Sequence, residues 1–327
     1  MRAFSSYSQM IRKYGLMIFA LIFFSRAEAQ KEVQLSQFYF NQLLFNPAAA
    51  GKGNQTQAGL VYRSQYTGYK PSNIDKGGGA TSQLLTASIP FGNFGVGINV
   101  LNDKIGALSQ QDLQISAAYR LGLGGGTLAI GARGGIYRQA MDYDQLRPEF
   151  PDIDDPIFQT GVVSEIQPDF SLGLHFESDQ YYIGASAAHL TQPKFKLGSS
   201  AAENPLSMVY YLNAGAYISA GYSLEVQPMV LARMTTGALS VEGGALLTFD
   251  QRVFAGVTYR HEDVIAIAHA GTYLLPNRSL RLSGSFDIVR GGNKAKSPMS
   301  YEVMLSYVFG QQQRGQKSII RTPRFRF

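Results

Sequence analysis

Two short stretches of the chain contain residue types that do chemistry in other proteins. His261-Glu262 begins like a zinc-protease motif, but that motif needs a second histidine four residues after the first, and His269 lies eight residues on. The glycine run 122–126 lacks the lysine of a phosphate-binding loop, and no helical pattern follows it, so we expect a turn there. The sequence holds no recognisable catalytic constellation. We therefore expect neither an enzyme nor a bound cofactor.

Five aspartates crowd one stretch of the chain and are the other candidates for ligand binding. Carboxylate oxygens are ligands that Ca²⁺ prefers, but these aspartates lack the regular spacing of an EF-hand loop. Their spacing favours a solvated acidic loop over a calcium site, and we expect no metal. The residues are Asp142, Asp144, Asp152, Asp154 and Asp155.

Eleven of the other charged residues recur on one face of segments that alternate with a period of two. Residues 169–177, for example, have phenylalanine or leucine at every second position and mainly polar residues between. This pattern predicts strands with one apolar and one polar face. The uncharged face includes Phe94, Leu113, Phe170, Leu239 and Tyr301. The opposite face carries both signs of charge, which predicts ion pairs in a lumen: Asp112, Arg120, Arg133, Asp169, Glu177, Glu225, Arg233, Glu242, Arg281, Asp287 and Glu302.

About fourteen such segments follow one another from residue 55 onward. Most run ten to thirteen residues, the length that a tilted strand needs to cross a bilayer. They start near Gln55, Ala80, Asn93, Ser109, Gly126, Pro168, Gln180, Ser207, Tyr222, Gly237, Gln251, Asp263, Arg278 and Ser300. In the ninth segment, Pro228 predicts a bulge or an early strand end, because proline cannot donate to the ladder.

The connections between these segments also alternate. Those after even-numbered segments are tight, whereas the long ones, near 67–79, 139–167, 191–206 and 290–299, all follow odd-numbered segments. Short turns at one rim, longer loops at the other and an even strand number are typical of outer-membrane barrels. The sequence therefore predicts an all-β fold, a transmembrane antiparallel outer-membrane β-barrel over residues 55–309.

The first 29 residues have the three parts of a secretory signal peptide. Arg2, Arg12 and Lys13 precede an apolar run of nine residues, 16–24, and Ala27-Glu28-Ala29 has the small-residue form of a cleavage site. The apolar run is about half as long as a membrane-spanning helix requires. We expect cleavage after Ala29; the alternative is an N-terminal membrane anchor. The chain has no cysteine, which excludes disulfides and thiolate metal sites.

The positive net charge of the chain comes from its two ends. The leader contributes +3 and residues 311–327 contribute +5, so a total of +6 leaves the remainder at −2. Because the body is not basic, we expect no nucleic-acid partner.

The tail, 310–327, is predicted to be a basic periplasmic peptide. Its cationic and aromatic residues could dock into an acidic groove of a partner, and a solvated tail is the alternative: Arg321, Arg324, Phe325, Arg326 and Phe327.

The stretch 34–51, QLSQFYFNQLLFNPAAAG, mixes aromatic residues with amides at spacings of neither a helix nor a strand. It resembles the N-terminal signature of the PorP/SprF family, outer-membrane proteins of the type IX secretion system in Bacteroidota. In that family a Ser-Gln-aromatic pattern is followed by an asparagine and then by Asn-Pro-Ala and glycine. The matching residues are Ser36, Gln37, Tyr39, Asn41, Asn46, Pro47, Ala48 and Gly51.

The likeness continues along the chain and covers essentially all of residues 34–309. Arg63-Ser64-Gln65-Tyr66 resembles the Arg-x-Gln-Trp of the family, with tyrosine in place of tryptophan. Residues 102–106, NDKIG, match a stretch after the third strand, and 181–193, YYIGASAAHLTQP, resembles a Tyr-Gly-Ser…His-Leu-x-x-Pro segment. Residues 301–307, YEVMLSY, resemble the closing strand.

The resemblance implies a non-enzymatic barrel in the bacterial outer membrane. It implies a role in the export or surface delivery of specific protein cargo, including surface adhesins in species with gliding motility. The implied partners are the translocon, periplasmic ring components, the cargo and outer-membrane lipid. The competing interpretation is a FadL-like or porin-like channel for small solutes, which the geometry of fourteen strands also permits. A one-sign constriction would favour the channel, and the predicted lumen charges have both signs.

Unpaired amides cannot lie in lipid, so the signature stretch must pack in the lumen or at the periplasmic rim. We predict that residues 30–54 form a segment that plugs or braces the barrel. The alternative is a disordered leader.

Overall fold

The computed structural model describes residues 32–68, 79–146, 160–198, 203–261, 264–289 and 299–310. Fourteen antiparallel strands form a closed barrel, as the alternation predicts. The strands are β1 Thr56–Gln65, β2 Ala80–Phe91, β3 Phe94–Ile105, β4 Leu108–Leu123, β5 Gly126–Asp142, β6 Val162–Glu177, β7 Tyr181–Ala188, β8 Val209–Ala216, β9 Leu224–Thr235, β10 Ala238–Phe249, β11 Val253–Arg260, β12 Val264–Leu274, β13 Leu280–Val289 and β14 Met299–Phe309.

The barrel closes where the last strand pairs with the first. β14 runs antiparallel to β1, and Arg63 of β1 lies directly opposite Glu302 of β14. Each strand thus has a hydrogen-bonded neighbour on both sides, which leaves no sheet edge in the wall. A closed ladder is the condition under which strands can cross a bilayer.

Side chains alternate between the outer and inner faces of the wall. On β6, Phe170, Leu172 and Leu174 are 52%, 55% and 50% exposed, whereas Asp169 and Ser171 are each 1% exposed. The outer face is therefore apolar and the inner face polar, the pattern of a lipid-facing barrel. The eleven charged residues predicted for the lumen all lie in the inward phase of their strands.

The two rims differ as predicted. Connections at one rim are short; Gly125 turns between β4 and β5 with φ of +108°, and Asp250 and Gln251, with φ of +47° and +55°, turn between β10 and β11. The other rim carries the long connections. We call them the short-turn rim and the long-loop rim, and by the general rule for outer-membrane barrels the short-turn rim faces the periplasm.

The fifth and sixth strands are longer than the sequence predicts. β5 reaches Asp142 and β6 begins at Val162 rather than near Pro168, so their connection is shorter than 139–167. The register pairs Gln139 with Glu165 and Asp142 with Val162. Both faces of this extension carry polar residues, so the alternation that marks the lower part of the hairpin is absent here.

The prediction of a bulge or an early strand end at Pro228 was wrong. β9 continues through Pro228 without a bulge, because Pro228 pairs with Ala245 of β10. The ladder with β8 lapses instead: it is broken at Tyr217 and resumes in the same register at Ile218–Ala220. The missing N–H of the proline is thus accommodated by the neighbouring strand.

The helical elements are short and lie mainly before the barrel. They are one α-helical turn, α1 Gln42–Phe45, and 3₁₀ turns at Phe38–Phe40, Pro47–Ala49, Lys52–Asn54 and Tyr143–Gln145. Among the described residues, none of the helices has the length and apolar character to cross a membrane.

The connection between β7 and β8 folds inward at the long-loop rim. It contains a small ladder in which Lys194–Phe195 pairs with Asn204–Pro205. Phe195 is fully buried and its ring centroid lies 5.7 Å from that of Tyr137 on β5. This loop therefore packs against inward-facing residues of the wall.

Candidate functional site

Residues 32–54, here called the inner segment, lie against the inward faces of the strands. Ser36, Gln37 and Ala50 are fully buried, and Phe38 and Phe45 are 3% and 6% exposed. The two phenylalanines belong to an apolar cluster with wall residues that include Leu231 and Phe254. Burial of each such ring contributes about 1.5–3 kcal/mol, so the aromatic residues of the signature anchor this segment.

The first polar anchor is a charged group at the junction of β1 and β14, here called the seam cluster: Ser36, Gln37, Arg63, Asp287 and Glu302. The backbone N–H groups of Ser36 and Gln37 donate to the two carboxylate oxygens of Glu302, at 2.7 and 3.0 Å. The Ser36 hydroxyl donates to Asp287 at 2.7 Å. Arg63 donates to Asp287 at 2.5 Å and lies 3.4 Å from Glu302.

The seam cluster explains why signature residues far apart in the sequence occur together. One arginine faces two carboxylates, and the excess negative charge accepts hydrogen bonds from the backbone and hydroxyl of the inner segment. Arg63, Asp287 and Glu302 are each at most 1% exposed. Buried charges persist only when paired and hydrogen-bonded, so these groups depend on one another.

A second ion-pair group continues along the wall on β9, β10 and β11. Arg260 donates to Glu242 at 2.7 Å, and Arg233 lies 3.8 Å from the same carboxylate. Thr258 bonds to both Glu242 and His269. The lumen therefore holds ion pairs, as the presence of both signs of charge on this face predicts.

Two other signature residues, Tyr39 and Asn41, and the side chain of Gln37 position the start of the inner segment. The Gln37 side chain accepts a hydrogen bond from Ser283 of β13 at 2.5 Å. Asn41 donates to the carbonyl of Gln37 at 3.0 Å and so closes the first turn on itself. Tyr39 is buried, with its ring centroid 5.5 Å from that of His269.

The Asn-Pro-Ala sequence forms a capped turn. The Asn46 side-chain oxygen accepts the N–H of Ala48 at 2.9 Å, which is an N-cap, and Pro47 occupies the first helical position, where no N–H is needed. The Asn46 amide also donates to the carbonyl of Leu174 on β6 at 2.9 Å. One side chain thus shapes the turn and ties it to the wall.

Inward-facing glycines, here called the glycine wall, let this turn approach the strands closely. They are Gly95 and Gly97 on β3, Gly131 on β5 and Gly173 on β6. A Cβ atom on Gly97 would lie 2.7 Å from the Leu43 side chain. A Cβ on Gly131, Gly173 or Gly95 would overlap Ala48, Asn46 or Ala50 respectively. Backbone approach of this kind is possible only where no side chain intervenes.

Wall side chains also bond to the backbone of the inner segment. Arg133 of β5 donates to the carbonyl of Leu44 at 2.6 Å and to that of Leu43. Asn99 of β3 donates to the carbonyl of Leu43 at 3.0 Å, and Ser186 of β7 to that of Phe45 at 2.6 Å. These bonds satisfy carbonyl groups that regular secondary structure would otherwise pair.

The segment leaves the lumen at the short-turn rim. Gly51 adopts φ of +72°, donates to Ser88 at 2.7 Å and accepts from Arg120. Lys52 lies 3.5 Å from Glu177 and 4.5 Å from the centre of the Tyr182 ring. Burial lowers the pKa of Lys52, and the Glu177 carboxylate acts in the opposite direction.

The other end of the inner segment meets a small cavity. Glu32 accepts hydrogen bonds from His189 at 3.0 Å and from Tyr211. His189 also bonds to Asp169 at 2.9 Å. The cavity beside them has a volume of about 40 Å³, which is room for a few water molecules and too small for a typical organic ligand.

The structure brings together the signature residues in two groups, Ser36, Gln37 and Arg63 at the seam and Asn46 and Pro47 at the glycine wall. Their partners Ser283, Asp287 and the inward glycines were not singled out as partners from the sequence. The placement of glycine in the inward phase of β3, alternating with Phe94 and Val96, is the signal that could have indicated a docking surface.

Asp142 and Asp144 bond within their own loop, to Gln145 and Gly161, while Asp152, Asp154, Asp155 and the tail residues lie outside the described residues.

Replacing Asn46 by alanine should loosen the inner segment without releasing it. The change removes the N-cap and the bond to Leu174, for an expected loss of about 1–2 kcal/mol in the free energy of unfolding. Hydrogen–deuterium exchange at residues 46–51 should become faster, while residues 36–38 keep their protection. Asn93→Ala, in an exposed turn of the short-turn rim, is the control and should change neither region.

The fold and this interior define an outer-membrane β-barrel of the bacterial type with its own N-terminal segment bound along the inner wall. The family model for type IX secretion system membrane proteins of the PorP/SprF type matches residues 27–307. The chain belongs to the PorP/SprF family. No curated protein matches the sequence.

Two solved structures show the fold alone. The toluene transporter TbuX of Ralstonia pickettii is 12% identical, with a TM-score of 0.51, over 81% of this chain and 92% of that one. The monoaromatic hydrocarbon channel CymD is 13% identical, with a TM-score of 0.50, over 82% of this chain and 92% of that one.

Proposed function

We propose that this type IX secretion barrel supports the export or surface delivery of specific protein cargo while its own lumen stays closed. The observation that carries the proposal is that the inner segment is bonded to the wall along the length of the lumen. The bonds run from Arg63, which lies toward the long-loop rim, to Arg120, which lies at the short-turn rim. In this arrangement residues 30–54 act as the plug, and cargo follows a path provided by the translocon. The surfaces offered to partners are then the two rims.

Two parts of the proposal lie mainly in residues outside those described. Residues 1–29 act as the signal peptide, cleaved near Ala29, and 310–327 are the periplasmic tail. The basic and aromatic residues of the tail dock to a periplasmic ring component, for which their charge is suited. Surface adhesins are the expected cargo in gliding species, in keeping with the family.

A disulfide that locks the inner segment tests whether the lumen must open. An ideal Cβ at Gly97 lies 3.3 Å from Leu43 Cγ, so Leu43→Cys with Gly97→Cys places two thiols within bridging range. The chain has no other cysteine, so the bridge is unambiguous. The barrel gene is deleted in its host and complemented with this variant, and the surface proteome is compared by mass spectrometry with that of each single-cysteine strain.

We expect deletion to remove one or a few large surface proteins, and the locked barrel to restore them. Non-reducing gels and intact-mass measurement establish that the bridge has formed. If the locked barrel fails and reduction rescues it, cargo or another solute passes through the lumen and the closed-barrel proposal is wrong. An unchanged secretome with altered uptake of a small solute would instead favour the channel alternative.

A further inference from the structure

A row of polar side chains crosses the lipid-facing wall near the long-loop rim. It consists of Gln83 on β2, Asn102 on β3, Gln111 on β4 and Arg138 on β5, which follow one another in the register. Arg138 donates to Gln111 at 2.9 Å, and Gln111 donates to Asn102 at 3.3 Å. We call these residues the outer polar row.

The row carries positive charge without a protein counter-ion in the described part of the chain. Arg138 makes no ion pair with any carboxylate among the described residues, and neither does Lys104, which is exposed on β3 one outward position closer to the rim. Gln83 is exposed and forms no side-chain hydrogen bond to those residues. Donors are therefore available on a face that otherwise contacts lipid.

An apolar groove of about 470 Å³ lies on the same outer wall. Its apolar lining comes from Leu60, Leu85, Val100, Val303 and Leu305, and it reaches Tyr62, Gln83 and Asn102 at the end toward the long-loop rim. Leu60 and Leu85 are 55% and 45% exposed, as expected of side chains that face hydrocarbon. The groove thus joins the outer polar row at one end and the apolar belt at the other.

We propose that the groove and the outer polar row together form a binding site for a membrane lipid with an anionic, phosphate-bearing headgroup. One acyl chain occupies the groove, and the phosphate accepts hydrogen bonds from Arg138 and from the amides of the row, with Lys104 adding charge. A guanidinium is well suited to phosphate because it presents paired donors. The long-loop rim places this lipid in the outer leaflet.

The arrangement also explains an energetic oddity of the wall. Amides turned toward hydrocarbon cost free energy when they lack partners, and a cation costs least near the interface. A phosphate headgroup at the level of Asn102 and Arg138 supplies the acceptors that both need. The two cations give the site its preference for an anionic headgroup over a zwitterionic one.

The site can be tested with a single fluorescent reporter, because the chain contains no tryptophan. Tyr62→Trp places an indole at the groove, and Tyr259→Trp places one on β11, outward and near the same rim but far along the wall. Each variant is reconstituted in vesicles of phosphatidylcholine in which brominated phosphatidylglycerol or brominated phosphatidylcholine is titrated. Quenching reports which lipid contacts each tryptophan.

We expect brominated phosphatidylglycerol to quench Trp at position 62 with about fivefold higher relative affinity than brominated phosphatidylcholine, and to show no such preference at position 259. Arg138→Gln with Lys104→Gln should abolish the preference at position 62 and leave quenching by phosphatidylcholine unchanged. Millimolar inorganic phosphate should not displace the lipid. Equal quenching at both positions would overturn the site.

Three other results would also contradict the proposal. A preference at position 62 that survives loss of both cations would mean that the headgroup is not recognised by this row. Displacement by inorganic phosphate would indicate a site for a small anion instead. If neither lipid quenches Trp at position 62 and cross-linking yields a dimer, the groove binds a second copy of the chain.

Discussion

Replacing Arg63 by methionine is expected to lower the free energy of unfolding by about 3–5 kcal/mol and to release the start of the inner segment. Methionine keeps much of the side-chain volume but leaves Asp287 and Glu302 buried with no arginine between them. The Ser36 and Gln37 N–H groups then face two carboxylates that repel one another. Hydrogen–deuterium exchange at residues 33–41 should become fast, and the heat-induced gel-mobility shift should move to lower temperature.

A double substitution tests the same prediction through the direction in which stability changes relative to the single variant. Glu302→Gln removes one of the two uncompensated charges, so the variant with Arg63→Met and Glu302→Gln together should be more stable than Arg63→Met alone. A structural effect of lost packing alone would instead make the double variant less stable. Arg252→Met, at an exposed position of the short-turn rim, is the matched control and should behave like the unaltered protein.

The architecture follows from the sequence because one physical signal repeats along most of the chain. Lipid outside and a polar lumen inside impose a period of two on each strand, and Phe170 and Asp169 show the contrast directly. The signal fades where both faces of a strand carry polar residues, which is why the extension of β6 above Pro168 was missed. The alternation within one strand also does not show how a neighbouring strand adapts to it. The interruption of the β8 ladder opposite Pro228 is an example.

The site was less accessible to prediction, because its partners are remote in sequence. The residues of the inner segment were identified through a family resemblance, but the hydrogen bond from Ser36 to Asp287 spans 251 positions. Nothing local to either residue encodes that contact. Inward charges such as Glu302 were placed correctly on the lumen face, whereas their pairing depends on strand register and on where the irregular segment enters.

The seam cluster and the glycine wall hold the inner segment by different physical means. At the seam, Arg63 forms an ion pair with Glu302 and donates a hydrogen bond to it across the pair of strands that closes the barrel. At the glycine wall, the attraction is close packing of backbone against backbone, with Asn46 as the main polar tie. Loss of one anchor should therefore free one end of the segment while the other end stays bound.

Substituting valine for Gly131 should displace the Asn-Pro-Ala turn and let the barrel conduct ions. Even a single Cβ at this position would overlap the backbone of Pro47 and Ala48, and valine adds two methyl groups. Overpacking typically costs about 1–3 kcal/mol, and lifting the turn off the wall is the route by which it can be relieved. Planar-bilayer recordings should show stable openings that the unaltered protein lacks.

Gly284→Val on β13 provides the control, because an added Cβ there would meet only the Glu302 carbonyl at 3.6 Å, an ordinary contact. That variant should stay silent in the bilayer. Gly131→Ala, which adds the Cβ alone, should give shorter or rarer openings. It also keeps the prediction testable if the valine variant does not fold. If Gly131→Val folds, stays closed and keeps slow exchange at residues 43–50, the wall tolerates the extra volume. The closure would then depend on the seam cluster and not on the fit between this turn and the glycines.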